Sequence, residues 1–227
     1  MLNDRIDKLI NTPRIINTNL TFSSLIDEWY LIYKQQVRES TYLSTWDLLN
    51  GVKNEIGNDT LVRNIDTVLI NNVLENLIYG EKNLSNKYVS IIKSKLNLIF
   101  KYAVKKGYIE LNPIERVTIE YKKQGPPLKV KDKFLEDDEY IKLVQYTASH
   151  NERYSLLFQW LYLTGMRAGE AIALNKSDIT IDTYQEIYIA KINGTMQYRG
   201  RTVHNQKKSK ETKTQAGMRE VSLSKKL

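Results

Sequence analysis

The stretch Leu163-Thr164-Gly165-Met166-Arg167-Ala168-Gly169-Glu170-Ala171-Ile172-Ala173-Leu174 joins two helices through a glycine and sets an arginine at the junction. Before it, Tyr154, Leu157, Phe158, Leu161 and Tyr162 fall at helical spacing up to the break at Thr164-Gly165, and a shorter helix is predicted from Ala168 to Leu174. The first N–H groups of a helix have no partner within it, so an anion is favoured near Arg167. Arginine suits a phosphate because its planar fork donates parallel hydrogen bonds and keeps its charge at any working pH. Glu170, one turn on, either holds that guanidinium or forms a surface ion pair. The spacing Thr-Gly-x-Arg-x-x-Glu taken alone favours the ion pair.

Working outward, the pattern changes on both sides. From Glu186 the apolar period switches to two, so Ile187-Tyr188-Ile189-Ala190 and Arg219-Glu220-Val221-Ser222-Leu223 read as strands separated by a Gly- and Lys-rich stretch. Upstream, Leu135-Glu136-Asp137-Asp138-Glu139 places carboxylates where a helix dipole favours them, and Tyr140, Leu143 and Val144 continue that helix. A helix start explains this acidic run better than a metal site does. Still earlier, Lys122-Lys123-Gln124-Gly125-Pro126-Pro127, followed by Lys129, Lys131 and Lys133, reads as an extended basic linker and a domain boundary.

Before the linker lie four amphipathic helices with short connections, the signature of a compact bundle. The first carries Phe22, Leu25, Ile26, Trp29, Tyr30 and Tyr33 after a Thr21 cap. The second, from Ser40 or Thr41, carries Tyr42, Trp46, Leu49 and Val52; the third, capped by Asp66, carries Val68, Leu69, Val73, Leu74 and Leu77. The fourth opens near Ser85 with Val89, Ile92, Leu96, Ile99, Phe100 and Ala103. Trp29, Tyr30, Tyr42 and Trp46 fall on these stripes, which favours core over a base-stacking platform. The expected division is a tail at 1–20, a helical domain at 21–121, a linker at 122–133 and a mixed domain at 134–227, giving a mostly α chain with a small α+β part.

Composition narrows the function. No apolar run approaches the ~18 residues that span a bilayer, and Met1 to Ile10 mix charges rather than leading with an apolar segment. Zero cysteines exclude disulfides, thiolate metal sites and a cysteine nucleophile, and two histidines, His150 and His204, make a histidine-rich metal site unexpected. Of the net charge of +8, residues 191–227 account for all, with ten basic against two acidic side chains. That concentration suits a polyanion such as nucleic acid, or equally a solvated surface segment.

With these surroundings, Thr164-Gly165-x-Arg167-x-x-Glu170, then Leu174 and Asp178-Ile179, resembles the first arginine box of tyrosine recombinases, the phage integrase family. Thr212-Lys213-Thr214-Gln215-Ala216-Gly217-Met218-Arg219-Glu220-Val221-Ser222-Leu223 is similar to the hairpin bearing that family's catalytic lysine, here Lys213. Ala103 to Pro113 is similar to the end of its core-binding domain, and Ser40-Thr41-Tyr42 to the start of its second helix. The resemblance implies a four-helix, SAM-like core-binding domain and a catalytic domain, incomplete here, with a β-hairpin or three-stranded sheet, clamped on duplex DNA. It implies attack by a tyrosine on a phosphate to give a 3′-phosphotyrosine, with no metal or nucleotide cofactor. Arg167 would stabilise charge on the nonbridging oxygens, Lys213 would protonate the leaving 5′-oxygen, and Glu170 would orient the site. Lys129, Lys131, Arg199, Arg201, Lys207, Lys208 and Lys210 are the expected DNA contacts.

The sequence departs from the family pattern after Lys213. The family's His-x-x-Arg box, later His or Trp, and tyrosine nucleophile all follow the lysine, whereas 14 residues follow it here and hold none of them. His204 precedes the lysine and reads as a strand or loop residue. The expectation is therefore a truncated recombinase that holds attachment-type DNA without cleaving it, placed in the cytoplasm of a bacterial or phage-infected host cell. The alternative is a non-catalytic DNA-binding regulator on the same scaffold. The intact family assembles as a tetramer on DNA; a monomer stays open for this chain.

Overall fold

The computed structural model describes residues 19–123, 125, 134–184, 186–209, 212 and 215–223. The chain divides into two compact units, Met1–Gly125 and Pro126–Leu227.

The first unit is built from α1 (Phe22–Gln36), α2 (Glu39–Ile56), α3 (Thr67–Tyr79) and α4 (Asn86–Lys105). Three of them start where a side chain accepts an otherwise orphaned backbone N–H: Thr21 from Ser24, Asp66 from Leu69 and Ser85 from Tyr88. Each helix turns one stripe inward. Phe22, Leu25, Ile26 and Trp29 of α1 meet Leu49 and Val52 of α2 and Val89, Leu96, Ile99 and Phe100 of α4 in one core. Tyr30, Tyr42 and Trp46 pack against its edge, with the Tyr30 and Trp46 rings 4.5 Å apart. In α3 the buried stripe is Ile70, Leu74, Leu77 and Ile78, whereas Val68, expected inside, is 64% exposed. Runs such as Val68-Leu69-Ile70 satisfy two helical phases, and only the packing chooses between them.

Polar ties fix the helices in register. Lys53 of α2 donates to Asp27 of α1 at 2.6 Å, and Glu28 accepts from the hydroxyls of Tyr102 (2.7 Å) on α4 and Tyr108 (3.0 Å) beyond it. After the 3-10 turn Pro113–Arg116 the chain returns along the bundle, where the Asn86 side chain and the Lys122 backbone exchange two hydrogen bonds. Of the expected linker, Lys129 and Lys131 lie outside the described residues.

The second unit opens with a helical hairpin, α5 (Asp137–His150) and α6 (Glu152–Thr164), in which the Tyr140 and Tyr162 rings stack at 3.8 Å. The acidic run does start α5, with the Glu136 N–H donating to Glu139 Oε2 at 3.0 Å. Among the described residues no group of His, Asp or Glu is arranged to hold a metal ion. Beyond the glycine turn, α7 is shorter than expected, Ala168–Ile172, and is followed by a 3-10 turn, Lys176–Asp178.

The sheet is antiparallel and three-stranded. β1 (Ile179–Asp182) and β5 (Arg219–Leu223) flank β2 (Ile187–Ile192), with Ala190 opposite Val221 and Ile192 opposite Arg219. Between β2 and β5 a small hairpin of β3 (Met196–Gln197) and β4 (Lys207–Lys208) is inserted. Met166, Ala190, Ile192 and Leu223 form the core of this unit, joined by Trp160, Leu174 and Val221.

Candidate functional site

The turn that carries Arg167 is held from below. Gly165 closes α6 in the left-handed conformation (φ +63°), donating to Leu161 O at 3.0 Å, and the Thr164 hydroxyl accepts from the Met166 N–H at 3.3 Å. Met166 drops into the core against Trp160, whose indole N–H points at its sulfur 3.3 Å away. With Met166 anchored, the next side chain is carried outward, and Arg167 is 71% exposed.

Glu170 sits opposite in character, a carboxylate 4% exposed. Its Oε1 accepts from Arg167 Nη1 at 2.9 Å, and its Oε2 accepts from the Arg167 backbone N–H at 3.1 Å and from Arg219 Nη2 at 2.9 Å. Burial pushes the carboxyl upward, but the hydrogen bonds from Arg219 and Arg167 outweigh it and hold Glu170 below the usual carboxylate range. Because α7 has only five residues, its dipole adds little; the guanidinium itself supplies the positive charge.

A second buried carboxylate lies nearby in the chain. Asp178 accepts from Lys208 Nζ at 2.6 Å, the Asn175 N–H at 2.8 Å and Asn193 Nδ2 at 2.9 Å, and these bonds hold it down to about 2. Lys208, expected as a DNA contact, is thus engaged inward from β4, while its neighbour Lys207 is exposed as strand alternation requires. The inserted hairpin is seated tightly: a Cβ on Gly194 would lie 2.3 Å from the Ser209 carbonyl oxygen. Arg199 is exposed and Arg201 half-buried on that hairpin. Lys210 and Lys213 lie outside the described residues, but Thr212, next to the lysine, is buried, with a Cβ on Gly217 falling 2.8 Å from its hydroxyl.

Arg219 was absent from the expected site residues. Its signal was strand parity: Arg219 shares a face with Val221 and Leu223, which point into the core, so an arginine there needs a buried partner. Asp178 had no such signal, since Lys208 is 30 residues away.

Residues 133–227 match the model of the phage integrase family. Over those residues the chain is similar to that family. It is 29% identical over 179 residues to the prophage ps2 probable integrase of Lactococcus lactis, a match covering 77% of this chain and 45% of that protein. It is 32% identical over 99 residues to the ICEBs1 integrase of Bacillus subtilis, covering 44% of this chain and 26% of that one. The chain thus spans less than half the length of either relative. Among solved structures, a lambda integrase tetramer bound to a Holliday junction is similar with TM-score 0.67 and 19% identity, over 98% of this chain and 53% of that one. The Tn1549 transposon integrase in complex with transposon right end DNA is similar with TM-score 0.65 and 18% identity, over 91% and 62%. The integrase fold, mostly helical with small antiparallel sheets, is therefore the fold of this chain. Among the described residues no helix is long and apolar enough to cross a membrane.

Proposed function

We propose that this chain binds duplex DNA through its phosphates, as part of a site-specific recombinase of the phage or mobile-element type. The observation that carries the reading is the pairing of an exposed Arg167 guanidinium with a buried, ionised Glu170. A fixed arginine that stays open to solvent is what a phosphate oxygen requires, because the cost of orienting the donor has been met before the anion arrives. The excess positive charge in residues 191–227 supports the same reading, and two solved integrases similar to this chain are named as bound to transposon right end DNA and to a Holliday junction.

In this reading residues 21–121 are the core-binding domain, 122–133 the linker and 134–227 part of the catalytic domain. Arg167 faces the phosphate that is cut, Lys213 donates a proton to the leaving 5′-oxygen, and Lys129, Lys131, Arg199, Arg201, Lys207 and Lys210 contact flanking phosphates. Lys208 contributes by seating the inserted hairpin on Asp178. Strand exchange through a 3′-phosphotyrosine, on four copies brought together inside the cell, belongs to the whole recombinase.

The experiment is duplex binding measured by fluorescence anisotropy across a salt series. Affinity should fall steeply and linearly in log–log form as salt rises, with comparable slopes on unrelated sequences. An affinity indifferent to salt would overturn the reading.

A further inference from the structure

We propose that Arg219 is a positioning residue for Arg167: by sharing the buried Glu170 carboxylate it fixes the Arg167 guanidinium outward and leaves the group with one uncompensated positive charge. The inference rests on the phosphate-binding reading above.

An arginine paired one-to-one with a glutamate three residues on forms a neutral unit, and a bidentate pair would fold the guanidinium back onto its own helix. Neither happens here. Oε1 takes Arg167 Nη1, while Oε2 takes Arg219 Nη2 together with the Arg167 backbone N–H. Arg219 therefore occupies the oxygen that a second Arg167 fork bond would use. Arg167 keeps its remaining donors toward solvent, consistent with its 71% exposure. Two guanidiniums on one carboxylate carry a net single positive charge, so the site still attracts a phosphate.

Arg219 is itself well fixed. It opens β5 opposite Ile192 of β2, its side chain is 32% exposed, and its Nη1 donates to the Gly217 carbonyl at 3.3 Å. One guanidinium thus ties the turn after Lys213 to the residue that holds Arg167. The hydrogen bond from Arg219 is also the strongest influence keeping Glu170 ionised against its burial. Without it the Glu170 midpoint rises, and Arg167 with a still-ionised Glu170 forms a neutral pair whose second carboxylate oxygen is open to a fork bond, so the surplus charge and the outward setting of Arg167 are lost.

The test uses the full chain carrying Arg219→Gln and, as a charge-conserving variant, Arg219→Lys. The carboxyl carbon of Glu170, assigned with Glu170→Gln, is titrated by NMR without DNA, and duplex affinity is measured in parallel. Arg219→Gln should raise the Glu170 midpoint and weaken binding by about 3- to 30-fold, the range for one charge at ~8 Å in partly screened surroundings. Arg219→Lys should fall between, since an ammonium keeps the charge but cannot span Glu170 and Gly217 as a fork does. A purely structural arginine would lower the melting temperature and move neither readout at temperatures where the variant is folded; that result overturns the proposal. If Arg219→Gln does not fold, Arg219→Lys alone decides on the same two readouts. If the unmodified chain binds no duplex, the phosphate reading fails, and an unmoved Glu170 titration would separately sink the role of Arg219.

Discussion

Asp178 is the residue whose chemistry is most exposed to experiment. Its carboxyl, held to about 2, is ionised in the folded chain at pH values where an unfolded aspartate is already taking up protons. A depressed folded value means the stabilisation is complete above the unfolded value of ~4 and is lost as pH falls from there toward 2. Asp178→Asn should flatten the acid limb of thermal stability across that window. It should also lower stability near neutrality by about 2–4 kcal/mol, because Lys208 then faces a partner without charge. At this scale the sequence was informative where partners are close along the chain. Arg167 and Glu170 are three residues apart, so their pairing could be read from spacing. Lys208 stands in a lysine-rich run in which every ammonium looks solvated, and its partner becomes visible only once β4 is folded against the 3-10 turn.

The elements give sharper tests of packing. In α3, Ile70 is fully buried and Val68 is not, so Ile70→Ala should cost about 2–5 kcal/mol while Val68→Ala should stay within about 0.5 kcal/mol, as read by chemical denaturation. The opposite order would return the helix to the phase expected from its apolar run. The first and fourth helices were legible because their caps and stripes agree, as with Ser85 followed by Val89, Ile92, Leu96, Ile99 and Phe100, whereas the second opens at Glu39, ahead of the expected Ser40 or Thr41, with no side-chain cap. β1 and the β3–β4 hairpin were not: strands of four and two residues are too short to show a period, and the hairpin is held by Asp178 of the 3-10 turn through Lys208 and Asn193. Gly194→Ala probes that seat. With backbone at 2.3 Å from the added carbon there is nothing flexible to give way, and the variant should lose a few kcal/mol, about 1–3, of stability. Wild-type stability would show that the hairpin is not packed there.

For the whole molecule, fold and charge tell different parts of the story. The helical unit owns the larger core, whereas the surplus charge of +8 falls entirely in residues 191–227, which hold the inserted hairpin and β5. Arg167 lies just ahead of that basic stretch, on the turn that α6 and Met166 fix in place. The central claim is that Arg167 is a phosphate ligand, and the most direct measurement compares the chain with Arg167→Gln over a salt series on duplex DNA. A lost phosphate contact should weaken binding on all sequences alike and reduce the log–log salt slope by about one. Unchanged affinity and slope in a folded Arg167→Gln variant would contradict the account.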